Sequence, residues 1–444
     1  MSEMSRRSAL AVGAAAFATP LISSSAGSAE TDVVVIGAGA AGIAAARDLA
    51  AKGLGVTLIE ASGRVGGRVW TETTTFGVPH DVGAHWLHYR ENNPFADYGI
   101  ENGFDIYRAP DDGVMYVGAR EATEAEARAF DTAQTTALKA MSKAGRQGKD
   151  VSPASVIPDL GDWQSTVNLL TGPYEIAKDM QHFSCKDWWS AEDGTDYYCR
   201  EGFGALFAHS ARDVPVSLGV AARLIRWGGN GVEVDTDAGL IRARAVVVTV
   251  SMGVLGAGEL RFDPPLPARK QEAISVLTMG HYNHVALKFR ENFFGTGEDG
   301  YYSYRIEKEV DGVPHGFAAL IDAAGTGIAY CDLGGEFARQ MAAAGPVASV
   351  DFVLTELEKA FGAKVRASLI TDSFYDWSHD PLVLGAYSAA EPGGAWARAE
   401  MRKPEGDRIW FAGEALSADN WATVAGAHQS GRKTARKLAK RLAG

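Results

Sequence analysis

Residues 31–60 read TDVVVIGAGAAGIAAARDLAAKGLGVTLIE, and this stretch decides the fold. An apolar strand over 32–36 is followed by a GxGxxG turn, an alanine-rich helix and a second apolar strand over 56–60. Strand, glycine turn, helix and strand in this order predict a βαβ unit that opens a doubly wound sheet. We therefore expect an α/β (α+β) fold with a Rossmann-like domain.

The glycine turn predicts a dinucleotide site. Gly37, Gly39 and Gly42 let the backbone turn tightly, approach a pyrophosphate and pack the helix on the strand. The N-terminus of the helix would face the phosphates. Glu60 ends the second strand, where a carboxylate can accept hydrogen bonds from ribose hydroxyls. These features do not by themselves distinguish NAD from FAD.

The residues that follow do distinguish the two cofactors. Residues 60–68, EASGRVGGR, contain the RxGGR pattern, and later segments read DVGAHW at 81–86, GAYS at 385–388 and FAGE at 411–414. Together they resemble the flavin amine oxidase superfamily, and within it the polyamine oxidases. The resemblance implies FAD. The bond to FAD would be non-covalent, because Ala386 stands where monoamine oxidases carry a cysteine that binds the flavin.

The glycine turn and the resemblance together assign an FAD site. Arg68 could contact phosphate or form a structural ion pair, and Trp377 could lie beside the flavin or serve in packing. Both alternatives stay open for each residue. The expected cofactor-binding residues are Gly37, Gly39, Ala41, Gly42, Glu60, Ala61, Gly66, Gly67, Arg68, Gly83, Ala84, His85, Trp86, Val220, Trp377, Gly413, Glu414, Thr423 and Val424.

The resemblance also implies a substrate site. Amine oxidation by a flavin needs an unprotonated amine, a C–H bond aimed at flavin N5 and a site without water. Tyr387 would flank the substrate nitrogen, and His88 would lie in the channel, where an imidazole could bind or deprotonate an ammonium. Trp421 and Thr423 stand where monoamine oxidases carry a second tyrosine. We expect these four residues to bind substrate.

A departure from the family pattern concerns electron transfer to O2. Most members place a lysine, through a water, near flavin N5, but the matching residue here is His284. Lys288 lies four residues later, too far along the strand to replace it obviously. His284 could still hold a water, and we expect it to act in catalysis with His88 and Tyr387.

These residues predict an FAD-dependent amine oxidase. A hydride would pass from the carbon next to the nitrogen of a polyamine or related amine to flavin N5. The imine would hydrolyse to an aldehyde and an amine, and O2 would give hydrogen peroxide. Alternatives are an L-amino acid oxidase, with an arginine such as Arg90, Arg200 or Arg223 clamping a carboxylate; an amine dehydrogenase that uses another acceptor; and a flavin-binding protein without turnover.

Composition limits the partners. The net charge of -12 over 444 residues argues against nucleic acid as a partner. Three cysteines are too few for a disulfide framework and give no metal site, and whether Cys185 and Cys199 pair stays open. No stretch after residue 30 is long and apolar enough to span a bilayer. The oligomeric state cannot be read from the sequence.

The chain divides into an export signal and two interleaved domains. Arg6 and Arg7 precede an apolar stretch and small residues, so residues 1–30 predict a twin-arginine-like signal and a bacterial periplasmic or secreted protein. We expect an FAD-binding domain of residues 31–90, 205–290 and 372–444, and a substrate-binding domain of sheet plus helices from 91–204 and 291–371.

Overall fold

The computed structural model describes residues 29–192 and 194–444. The expected export signal lies outside these residues, apart from its last two positions, which begin the first strand, Ala29–Ile36. Within the described part of the chain, no helix combines the length and the apolar character that crossing a bilayer requires.

The first sheet is built around the predicted βαβ unit. Ala29–Ile36 pairs in parallel with Val56–Glu60 on one side and with Gly239–Val248 on the other. Its valines are fully buried, as expected for a central parallel strand. The eight-stranded sheet has the order Arg261–Asp263, Ala222–Arg226, Val232–Thr236, Gly239–Val248, Ala29–Ile36, Val56–Glu60 and Ser217–Leu218, with Ile409–Phe411 also pairing with Gly239–Val248.

Two helices pack together beside this sheet. Ala40–Ala50 follows the glycine turn, and Val424–Leu442 is the final helix of the chain. A Cβ atom on Gly431 would lie 2.1 Å from the Ala41 carbonyl oxygen, so the two backbones touch directly. Small residues on both helices therefore allow the last segment of the chain to return to the first.

The second sheet corrects one expected boundary. Tyr282–Phe289, which the prediction assigns to the FAD-binding part, pairs antiparallel with Ile328–Gly334 and Leu369–Phe374. Local apolar alternation does not reveal which sheet a strand joins, so the boundary at 290 is too late. The boundary at 372 is misplaced as well, because it falls inside Leu369–Phe374 of the same sheet; the rest of the division stays a prediction. The seven-stranded order is Leu369–Phe374, Tyr282–Phe289, Ile328–Gly334, Ala318–Ile321, Gly300–Tyr304, Gly113–Val117 and Arg120–Glu121.

Helices and short strand pairs complete the fold. Glu124–Arg146 begins with a capping box between Thr123 and Glu126. The other α-helices are Pro94–Glu101, Gln164–Leu169, Cys185–Trp189, Phe203–Ala211, Met252–Ala257, Ala268–Val276, Gly335–Ala344, Pro346–Phe361, Lys364–Ser368 and Ala397–Met401. Two-stranded pairs are Thr71–Glu72 with His80–Asp81, Ile106–Arg108 with Tyr197–Cys199, Leu277–Met279 with Ser388–Ala390, and Glu309–Val310 with Val313–Pro314.

The three cysteines are buried and free. The structure therefore answers the question that the sequence leaves open, since Cys185 and Cys199 do not pair. Each thiol instead lies among apolar side chains: Cys185, Cys199 and Cys331 belong to three separate apolar clusters. They behave as small hydrophobic residues of the interior.

A buried ion pair ties the middle of the chain to its C-terminal part. Arg398 Nε lies 2.7 Å from Asp187 Oδ1, and its Nη2 lies 2.7 Å from Oδ2. The two side chains are 4 % and 3 % exposed. Asp187 also accepts from the Ala390 backbone, and Arg398 donates to the Ala415 carbonyl. Removing one partner would leave the other charge buried without compensation.

We predict that Asp187→Ala lowers the free energy of unfolding by about 3–5 kcal/mol, because it leaves the buried Arg398 guanidinium without a compensating negative charge. Asp111→Ala is the matched control, since Asp111 pairs with Arg108 at an exposed site. The control should stay within about 0.5 kcal/mol of the wild type. Urea unfolding of both variants measures the difference. Equal losses would contradict the assignment of a structural role to the buried pair.

Candidate active site

One cavity of about 1610 Å³ connects the glycine turn of the first sheet with the second sheet. Every site residue predicted from the sequence lines it, except Gly42. Their roles stay predictions, but the structure brings them together from segments far apart in the chain. The lining includes Gly37, Gly39, Ala41, Glu60, Ala61, Gly66, Gly67, Arg68, Gly83, Ala84, His85, Trp86, His88, Val220, His284, Trp377, Tyr387, Gly413, Glu414, Trp421, Thr423 and Val424.

Gly42 serves packing rather than the cavity wall. A Cβ atom there would lie 1.8 Å from the carbonyl oxygen of Gly37, which itself has a φ of +102°. Only glycine allows the helix to pass so close to the preceding turn. This is the helix–strand contact expected of the third glycine of the motif, and the assignment of Gly42 to the cofactor site stays a prediction.

The turn fits the pyrophosphate and ribose of a dinucleotide. Helix Ala40–Ala50 begins at Gly39 without a side-chain cap, and Ala40 and Ala41 line the cavity. The N–H groups of the first helical turn can therefore bind an anion. Glu60 accepts hydrogen bonds of 2.8 Å from the backbone of Ala38 and of Ser62, one on each carboxylate oxygen. Each oxygen keeps a lone pair for a ribose hydroxyl.

Arg68 forms the structural ion pair, the second of its two predicted roles. Its Nη1 lies 3.2 Å from Glu414 Oε1 and donates to the Ala386 carbonyl at 2.5 Å. Glu414 also accepts from the Ser388 hydroxyl at 2.9 Å. These contacts join the RxGGR loop, the GAYS segment and the FAGE segment at one point of the cavity wall.

His284 has protein partners on both ring nitrogens. Nδ1 contacts the Asp332 carboxylate, which lies directly opposite on the neighbouring strand, and Nε2 lies 3.1 Å from the Gly83 carbonyl oxygen. Burial lowers the pKa of His284, but the Asp332 charge and hydrogen bonds outweigh it, and the pKa is raised. Both partners present acceptor oxygens, so the geometry favours a ring with hydrogen on both nitrogens. No nitrogen remains for the expected water.

Trp377 and His85 lie on the same wall as His284, and Lys288 lies outside it. Trp377 is buried and donates from Nε1 to the Val82 carbonyl at 2.9 Å, so it holds the loop as well as lining the cavity. Burial lowers the pKa of His85, whose ring lies 5.1 Å from that of His284. Lys288 Nζ lies 3.5 Å from the Phe76 carbonyl, and Lys288 is not among the lining residues.

His88 and Tyr387 lie on the part of the cavity near the second sheet. His88 Nδ1 lies 2.9 Å from Asp196 Oδ1, and the ring stacks in parallel on Trp86 with centroids 5.6 Å apart. The Tyr387 hydroxyl donates to the Glu175 carbonyl at 3.1 Å. Burial raises the pKa of Tyr387, so its phenol stays neutral. Both rings border the space where a substrate would bind.

Trp421 and Thr423 differ in what they can offer a substrate. The Thr423 hydroxyl accepts from the Gly426 backbone and donates to the Asn420 carbonyl, both at 2.9 Å, so it caps the final helix. Trp421 is 4 % exposed, donates to Ser190 at 3.3 Å and contacts the cavity with part of its ring. These residues shape the wall, and neither presents a polar group that is free of these bonds.

Several cavity residues were missed by the sequence analysis. Tyr282 lies 6.1 Å, ring to ring, from Tyr387 and also from Tyr174. Tyr282 precedes His284 by two positions on one strand, so alternation could have placed both on the same face. Tyr174 ends a short π-helical turn, and no local signal in the sequence relates it to the cavity.

Comparison with known proteins identifies the family. The model of the flavin containing amine oxidoreductases matches residues 40–128 and 118–439. The chain belongs to this family. Polyamine oxidase 4 of Oryza sativa subsp. japonica is 29 % identical over 446 residues, which cover 92 % of this chain and 89 % of that protein. The recognised resemblance and the expected fold class are thereby confirmed.

Two further relatives show how far the similarity reaches. Lysine-specific histone demethylase 1 homolog 1 of Arabidopsis thaliana is 28 % identical over 440 residues, 92 % of this chain but 52 % of that protein. The chain thus spans about half the length of this demethylase. The structure of wild-type putrescine oxidase bound to putrescine has the same fold, with a TM-score of 0.72, 21 % identity and coverage of 94 % and 100 %.

We predict that Gly66→Ala loses flavin while Gly63→Ala retains it. Gly66 has a φ of +104°, and a Cβ atom would lie 2.2 Å from the Val69 carbonyl oxygen, whereas a Cβ atom on Gly63 meets nothing within 4 Å. Strain of about 1–3 kcal/mol would weaken flavin binding roughly ten- to hundred-fold. The ratio of flavin to protein absorbance after purification measures this. Equal flavin content in the two variants would contradict it.

Proposed function

We propose that this protein is an FAD-dependent amine oxidase that acts on a polyamine or a related small amine. The observation that carries the proposal is the single cavity that joins the glycine turn to the wall of His88 and Tyr387. Bound FAD would supply the redox chemistry by accepting a hydride from the carbon next to the amine nitrogen. The imine that results would hydrolyse to an aldehyde and an amine.

The residues of the turn would hold the cofactor without a covalent bond. The uncapped start of helix Ala40–Ala50 would bind the pyrophosphate, and Glu60 would bind the ribose. Val220 donates its backbone N–H to the Glu60 carbonyl at 2.8 Å, which supports its expected place in the cofactor site beside the ribose. All three cysteines lie within the described residues, and none of them lines the cavity. This supports non-covalent FAD.

The charges of the cavity wall favour an amine as substrate. The acidic residues that line the cavity outside the glycine turn include Glu175, Glu192 and Asp196. Carboxylates attract an ammonium, and the faces of aromatic rings such as Tyr387 also favour a cation. A polyamine would satisfy more than one of these acids. The proposal that the substrate is an amine rests on these acidic residues and on the family to which the chain belongs.

An L-amino acid oxidase receives less support. Its substrate carboxylate needs an arginine near the amine site. Arg90 pairs with Asp97, Arg200 pairs with Asp105 and Glu298, and neither arginine lines the cavity. Arg223 does line it, but follows Val220 by three residues, and Val220 bonds to Glu60 at the proposed ribose site. Among the described residues, these candidates therefore do not form a carboxylate clamp beside His88.

We infer O2 as the electron acceptor, with hydrogen peroxide as the product. The pKa of His284, which Asp332 raises, favours a positive charge at the position where the resemblance implies a lysine. The alternative is a dehydrogenase with another acceptor. The His284 ring has no free nitrogen to hold the water that the resemblance links to reaction with O2. The test below therefore also distinguishes an oxidase from a dehydrogenase.

We expect anaerobic addition of a diamine or polyamine to bleach the flavin absorbance of the purified protein, because the amine would reduce the bound cofactor. L-amino acids serve as the matched control and should leave the absorbance unchanged. Admission of air should then restore the colour and produce hydrogen peroxide. Failure of every amine to bleach the flavin would sink the proposal, and slow reoxidation in air would identify a dehydrogenase.

We further propose that residues 1–30 export the folded protein to the periplasm or the medium. Arg6 and Arg7 before an apolar stretch support this. Changing both arginines to lysine should move the protein to the cytoplasm of a bacterial host that has the twin-arginine pathway. Fractionation of cells that express the full chain measures its location. The same location for both forms would argue against a twin-arginine signal.

A further inference from the structure

The His88–Asp196 pair is set by the backbone of two distant segments. Leu87 and Tyr197 form an isolated antiparallel bridge, with N–H···O bonds of 2.9 and 3.1 Å in the two directions. In an antiparallel pair, the residue after Leu87 lies opposite the residue before Tyr197. His88 and Asp196 are those two residues. Their contact of 2.9 Å between Nδ1 and Oδ1 therefore follows from strand register.

Further contacts restrict the His88 ring and its segment. The Trp86 ring lies parallel to the His88 ring, with 4° between the planes. The His88 carbonyl accepts from the Asn93 side chain at 2.9 Å, and the Asp196 carbonyl accepts from the Ala109 backbone at 2.9 Å. Among the described residues, the ring has one hydrogen-bond partner, at Nδ1, and lies beside the rings of Trp86 and Tyr89. His88 remains 35 % exposed and lines the cavity.

The Asp196 carboxylate fixes the tautomer of the neutral ring. An ionised carboxylate accepts hydrogen bonds and cannot donate, so Nδ1 carries the hydrogen. Nε2 of the neutral imidazole is then an acceptor with a free lone pair. An ammonium is a donor only, and it matches this form of the ring. The opposite tautomer would present an N–H to the ammonium and repel it.

We propose that Asp196 is a positioning residue that holds His88 as the acceptor for the substrate ammonium. A proton passes from the ammonium to Nε2: the N–H bond of the ammonium breaks, the Nε2–H bond forms, and a neutral amine and an imidazolium result. The imidazolium keeps its Nδ1–H on Asp196, whose charge compensates it. The neutral amine has the lone pair that loss of hydride from the adjacent carbon requires. This inference rests on the proposed function.

Asp196→Asn tests the inference with almost no change in shape. The asparagine amide can donate to Nδ1, which favours the tautomer with hydrogen on Nε2 and removes the acceptor from the cavity. We expect the apparent Kd for the amine, from anaerobic flavin reduction, to rise about tenfold, the loss of one hydrogen bond to a charged group. The limiting reduction rate should change less. Asp196→Glu should restore most of the affinity.

Two reference variants complete the design. His88→Ala should raise the apparent Kd at least as much, and adding Asp196→Asn to it should have little further effect, because the two residues act together. Asp376→Asn is the matched control. Asp376 pairs with His379 at the same 2.9 Å, and neither lines the cavity. This variant should behave as the wild type. Flavin content confirms that each variant is folded.

A spectroscopic measurement separates positioning from a purely structural role. Nitrogen-15 NMR distinguishes the two tautomers, and the His88 signal is assigned among the ten histidines by its loss in His88→Ala. We expect hydrogen on Nδ1 in the wild type and on Nε2 in Asp196→Asn. An unchanged tautomer, or an unchanged Kd with amines that still bleach the flavin, would overturn the inference alone. Failure of all amines to bleach the wild type would overturn the proposed function instead.

Discussion

The structure depends on the direct contact between helix Ala40–Ala50 and the turn before it. No Cβ atom fits between Gly42 and the Gly37 carbonyl, so glycine is what allows the helix to begin at Ala40, after a turn of only three residues. Its uncapped N-terminus therefore opens into the cavity. The turn also pairs with the next loop through a bridge between Gly39 and Gly66. The cofactor end of the cavity is thus made largely of backbone, which a diphosphate can approach closely.

Ion pairs between distant segments support this wall. Arg68 and Glu414 are separated by 346 residues, and His284 and Asp332 by 48. In both pairs, at least one partner is buried, and its charge is compensated by the other side chain. Each pair therefore fixes one distant segment of the wall against another. A cavity that aligns a substrate with a cofactor needs such rigidity.

The sequence predicted those parts of the molecule that local patterns determine. The first strand, the glycine turn and the helix Ala40–Ala50 follow from apolar runs and glycine spacing. The motif residues come together from distant segments of the chain, and the resemblance to the family, not a local pattern, is what predicts this. The strand Tyr282–Phe289 was assigned to the wrong sheet, because strand pairing depends on residues more than 40 positions away.

The aspartates that contact the two site histidines could not be predicted either. Asp332 and Asp196 reach His284 and His88 through strand register, which no single segment encodes. The sequence alone allows His284 to hold a water. In the structure, both ring nitrogens of His284 have protein partners. The partner of one histidine ring nitrogen determines what the second ring nitrogen can donate or accept. Only the folded structure shows which residue that partner is.

The central claim is that the cavity brings the carbon next to an amine nitrogen to a bound flavin and that this C–H bond breaks. The most direct test is the rate of anaerobic flavin reduction by an amine carrying deuterium on that carbon, compared with the unlabelled amine. The account predicts a clearly slower reduction with the deuterated amine. Equal rates at saturating amine would contradict cleavage of this bond as the step that reduces the flavin.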